Sequence, residues 1–212
     1  DGPTVADTEP LKIVAPQFCA KSIVHDNPYP CDLNCLTVTV QTNAALMAGK
    51  SRITIDGLAG ATFCAPGSTS CAINLTDASG TGRDHEYFTS GLSGDDDKTG
   101  IGRWVETSTT RQLVLYLAKD AGCGQQFAIT FCVYNPAKYQ NDPAIRIQAE
   151  DVGRSKDVYT ASTRINWVYM DKEKLGGSDY IALPLRVKYP FFDAEIGQTS
   201  SVPCDANTLT IT

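Results

Sequence analysis

The sequence predicts an all-β protein, an antiparallel β-sandwich of immunoglobulin-like, Greek-key type with long loops, and three observations carry that expectation. Runs of β-branched and aromatic residues alternating with period two recur along the chain. The 17 glycines and 11 prolines cut these runs into short segments. No dozen-residue window places apolar residues at i, i+3, i+4 and i+7 between caps, so helices covering a parallel sheet are not expected. With 212 residues, 42% of them hydrophobic and 20% charged, the chain has enough apolar side chains to bury a core.

Taken in order, residues 1–18 read as an extended arm or linker, 19–189 as the sandwich, and 190–212 as the start of a repeat. Strands are expected at 36–41 (LTVTVQ), 52–56 (RITID), 112–117 (QLVLYL), 127–134 (FAITFCVY), 144–149 (AIRIQA), 164–169 (RINWVY) and 181–187 (IALPLRV), about seven to nine in all. Between them, 77–103 holds six glycines and the acidic run Asp95-Asp96-Asp97, and is expected to be a long surface excursion.

The net charge of −6, with basic residues scattered singly, gives no footprint for nucleic acid or anionic lipid. No run approaches the ~18 apolar residues of a membrane span, and no signal peptide opens the chain. The eight cysteines (Cys19, Cys31, Cys35, Cys64, Cys71, Cys123, Cys132 and Cys204) point to disulfides. The nearest approach to paired zinc spacing is Cys31-x₃-Cys35, and only two histidines are present, so a metal site is not expected. Asn74 heads a glycosylation sequon. Together these features place the chain outside the cell or on its surface, in a mature, exported form.

The chain also repeats itself. PCDLNCLTVT at 30–39 aligns with PCDANTLTIT at 203–212, identical at seven of ten positions at an offset of 173. Upstream, at an offset of 174, PLKIVAPQF at 10–18 matches PLRVKYPFF at 184–192 in pattern. The chain thus holds one unit of about 174 residues and the start of another. Leu209, Thr210, Ile211 and Thr212 form an alternating strand, and a lone strand with unpaired amides is unstable in water. Either the chain belongs to a tandem array, or this tail completes a neighbour's sheet by strand addition. Both give a head-to-tail contact that propagates as a filament unless it closes. An ancient duplication inside one monomeric domain is a third arrangement. If 1–18 is the mobile arm instead of the tail, the direction reverses.

Cys31 and Cys204 are one repeat apart, too far to bond each other if the tail docks as the head does. Local pairs Cys64–Cys71 and Cys123–Cys132 would leave Cys19, Cys31, Cys35 and Cys204, with Cys204 available to a neighbouring unit.

The motifs NCLTVT (34–39), GKSRITIDGLAG (49–60), NPAKYQ (135–140) and NTLT (207–210) are similar to those of repeat domains in very large surface proteins of aquatic microbes, algae and other protists. The resemblance covers the start, middle and end of the unit. It implies an extracellular repeat module and carries over no catalytic residue.

Catalytic and cofactor-binding residues are not identified. His25 lies in a turn-like HDNP and His85 in the glycine-rich excursion, so both read as solvated loop histidines. Of the acids Asp77, Asp84, Glu86, Asp95, Asp96 and Asp97, a solvated loop is the preferred reading, with calcium the one ion left open. Trp104, Trp167 and Tyr169 read as sandwich core, with a sugar-stacking platform as the other reading. The expected function is a structural subunit or repeat of an extracellular fibre, partnered by itself and assembled by strand pairing, not an enzyme. A carbohydrate-binding or adhesive module, with glycans as partners, is the alternative. A secreted hydrolase would need a cleft of convergent carboxylates.

Overall fold

The computed structural model describes residues 15–78, 82–95, 97–153, 163–173 and 183–188, with the backbone of two further short strands. In chain order the strands are β1 (Phe18–His25), β2 (Leu33–Thr42), β3 (Arg52–Asp56), β4 (Ser70–Asn74), β5 (Thr76–Asp77), β6 (Phe88–Thr89) and β7 (Ile101–Glu106). There follow β8 (Arg111–Leu117), β9 (Gln126–Tyr134), β10 (Arg146–Glu150), β11 (Ile165–Tyr169), β12 (Asp171–Lys172), β13 (Ile196–Gln198) and β14 (Leu209–Ile211). The one helical element described is a 3₁₀ turn at Asp84–Tyr87.

Two sheets form the sandwich. The first runs β12-β1-β2-β9-β5, antiparallel except for β12 on β1. The second runs β11-β10-β3-β8-β7-β4, with β6 also pairing β8. Alternation sets which side chains meet between them: Leu36, Val38 and Val40 point inward from β2, while Thr37 points outward to share a 2.8 Å hydroxyl contact with Thr130 of β9. Phe127, Ile129 and Phe131 of β9, Ile53 and Ile55 of β3, and Leu113 and Leu115 of β8 complete the core. Burying each such side chain contributes about 1.5–3 kcal/mol before the entropy of ordering it is subtracted.

Three expectations need correction. The 77–103 segment is not a surface excursion throughout: Phe88 is buried edge-on against Phe127, ring centroids 5.2 Å apart, and β7 begins at Ile101. Its glycines include a packing position, since a Cβ on Gly102 would come within 2.8 Å of Leu113 Cδ1. The strand expected at 181–187 is, over its described residues, a turn with one bridge, Val187 to Gln140. Pro184 withholds the amide a strand would need there. Phe18, assigned to the arm, opens β1, whereas residues 1–14 lie outside the described set.

Candidate functional site

Parts of three of the repeat-domain motifs, Asn34, Gly60 and the Asn135–Gln140 segment, meet at one pole of the sandwich. Asn34 Nδ2 donates to Asn135 Oδ1 at 2.8 Å, and Asn135 Nδ2 donates to the carbonyls of Asn27 and Tyr29, both at 2.8 Å. Gly60, at φ +78, lies against the neighbouring NPAKYQ segment: a Cβ there would fall 2.4 Å from Gln140 Oε1. Gln140 Nε2 in turn donates to the carbonyls of Ala59 and Leu185. This fixes the 183–188 segment, whose Leu185 and Val187 are fully buried and whose Lys188 amide donates to Pro28 O at 2.9 Å. Pro28 lies three residues beyond the end of β1, so the chain enters the sandwich where β1 begins and reaches Lys188 beside the loop where β1 ends. Eight strand residues, about 27 Å, separate the two places.

The tail strand, expected to find its partner in a neighbouring unit, has one in its own chain. β14 pairs with β13 of its own chain, Ile196 opposite Ile211, Gly197 opposite Thr210 and Gln198 opposite Leu209. Subtracting the repeat offset of 173 turns these pairs into Ile23–Val38, Val24–Thr37 and His25–Leu36, which are the observed pairs of β1 with β2. The tail therefore reproduces the first hairpin in the same register. Thr212 and Cys204 lie outside the described residues.

Of the two local cysteine pairs expected, one is present and one is not. Cys64–Cys71 forms, closing the loop before β4. Cys132 bonds Cys35 instead of Cys123, because residues 35 and 132 are direct partners in the β2–β9 register. Cys19, Cys31 and Cys123 are exposed free thiols, and Cys123 Sγ donates to Asn43 O at 2.8 Å.

Neither histidine is a solvated loop residue. His25 ends β1 facing inward, only 1% exposed, with Nδ1 3.2 Å from Asn34 Nδ2 and Nε2 without a partner among the described residues. Burial pushes its pKa below the ordinary imidazole value, opposed by the charge of Asp26. His85 is held by Asp77, which accepts from its backbone amide and contacts Nδ1 at 2.9 Å. The neighbouring acids serve protein donors: Asp84 accepts from the Ala128 amide, Glu86 pairs with Lys119, and Asp95 with Lys98 and Ser90. Among the described residues no three His, Cys, Asp or Glu side chains gather as a metal site, and Asp96 lies outside that set. Asn74, the sequon asparagine, is exposed at the end of β4.

The outer face of the second sheet carries a different chemistry. Trp104 is fully buried, as a core residue should be, but Trp167 and Tyr169 of β11 are 36% and 71% exposed, which corrects their core assignment. β11 is an edge strand, so only its inward Ile165 is buried. Beside it, Arg146 lies 4.9 Å from the Trp167 ring centroid and donates to Asp56 Oδ2 through Nε and Nη2. Glu150 accepts from both Arg52 and Arg164, and these contacts, Arg52 first, hold its carboxyl below the usual carboxylate range. A shallow depression of about 280 Å³ opens between Arg52, Arg103, Tyr116, Gln148 and Trp167. Arg103 Nε is buried there and has no hydrogen-bond partner among the described residues. Sequence reading missed Arg52, Arg103 and Gln148. Their signal was present: each has the outward parity of an alternating strand, but parity finds a shared face only once the strand order is known.

No protein-family model and no curated protein matches this sequence.

Proposed function

We propose that this protein is a structural repeat of an extracellular filament, in which sandwich units follow one another head to tail along a continuous chain. The observation that carries the reading is the tail hairpin, whose register is that of β1 with β2. A second unit begun in this way continues from β14 as the first continues from β2. The pole-to-pole path of the chain supports the same reading, because a linear array needs the incoming and outgoing segments at opposite ends. So do the disulfides, which suit an oxidising exterior, and the likeness of the repeat motifs to those of large surface proteins.

The Cys35–Cys132 bond favours continuity over exchange. A tail invading another molecule at the place of β2 would have to displace a strand covalently tied to β9. The tail itself carries Thr208 where β2 carries Cys35. Negative-stain electron microscopy of native material tests the proposal: beaded filaments with one bead per unit are expected, and separate compact particles overturn it.

A further inference from the structure

We propose that the outer face of the β11-β10-β3-β8-β7-β4 sheet binds an acidic polysaccharide, its carboxylate or sulfate groups held by Arg103 and Arg52 and a sugar ring lying on Trp167. Charge is the first argument. Among the described residues Arg52, Arg103, Arg146 and Arg164 share this face with two carboxylates, Asp56 and Glu150, a cationic surplus on a chain of net charge −6. Both carboxylates are already occupied by arginines. Among the described residues Arg103 is paired by no carboxylate and its Nε is a buried donor without an acceptor, a state that is unfavourable until an acceptor arrives.

Shape and composition are the second. From Arg103 on β7 to Trp167 on β11 the face crosses four inter-strand spacings, about 19 Å, a span for several linked sugars and not for one small anion. Gln148 and Thr54 offer amide and hydroxyl groups along the way, as a hydroxyl-rich ligand requires. The exposed indole at the end of the trough offers an apolar plane for the C–H face of a pyranose. Guanidinium groups suit the planar acceptors of carboxylate or sulfate.

The site lies within a single unit, so it stands or falls separately from filament formation. Affinity electrophoresis of the full chain in native gels containing polygalacturonate, dextran sulfate or neutral dextran tests it. Retardation by polygalacturonate, by dextran sulfate or by both is expected, the pattern naming the anion, with none by neutral dextran. R103Q and W167A should each weaken binding about tenfold at an unchanged melting temperature. Should R103Q fail to fold, W167A, changed at an exposed edge strand, carries the test alone. Equal mobility in all gels, equal retardation by neutral dextran, equally tight binding of poly-glutamate, or undiminished affinity of the folded variants overturns the proposal.

Discussion

In the first hairpin Leu36 lies between two strand partners, His25 on β1 and Phe131 on β9; in the tail hairpin its counterpart Leu209 has Gln198 on one side and, among the described residues, no strand on the other. The two hairpins share a register and differ in surroundings. Register is therefore a property of the hairpin's own sequence. Stability comes from outside it, from β9, from the Cys35–Cys132 bond and from the Asn34–Asn135 network. An isolated two-stranded ribbon is marginal in water, so the pattern shared by 23–38 and 196–211 is firm in one setting and incomplete in the other.

The strongest way to break this comparison is to remove the difference. Appending a second copy of residues 40–188 after Thr212 supplies β14 with its own β9, and exchange at the Leu209–Ile211 amides should slow at least about a thousandfold, toward that of 36–38. Hydrogen exchange read by mass spectrometry decides, and unchanged exchange would mean that the shared register is not the start of a second unit. Working from the other side, C35T with C132S gives β2 the residue found in the tail and should lower unfolding stability by about 2–5 kcal/mol in a denaturant titration. An unmoved midpoint would show that β9 pairing alone distinguishes the hairpins.

The smallest effect concerns His25, replaced by Gln198 in the tail. Its folded pKa is lowered by burial, so the folded state keeps the imidazole neutral while the unfolded chain takes a proton near pH 6.5. This contribution to stability is complete above that pH. It is lost as pH falls from the unfolded value through the folded one, at no more than about 1.4 kcal/mol per pH unit. H25Q should flatten the slope between pH 7.5 and 5.5, measured as urea midpoints, and leave the carboxylate-driven loss at lower pH in place. A slope that persists in H25Q would assign it to another group.

The sequence made the sandwich legible because its long central strands alternate cleanly, as in β2 and β9. It made Cys64–Cys71 legible because a seven-residue separation leaves few other partners. Cys35–Cys132 was hidden, since it follows from the β2–β9 register and not from spacing along the chain. His25 was misread from the turn residues after it, although it keeps the inward parity of Ile23. Trp167 was misread for another reason: it has the parity of the inward Ile165, but the register shift that sets Ile165 opposite Ala149 and Val168 opposite Ile147 turns it to the outer face. The basic outer face was invisible because its members come from β3, β7, β8, β10 and β11, and nothing in the linear order brings them together.

The bond between Cys35 and Cys132 also bears on mechanics. It closes a covalent ring with a sequence separation of 97, the equivalent of about 320–350 Å of fully extended chain. If a thread of such units is pulled from its ends, tension passes from β2 to β9 through the sulfur bridge and bypasses everything between, including β3 to β8. A unit that yields can lengthen only through its flanking segments, so the thread stays short under load and its central strands keep their places.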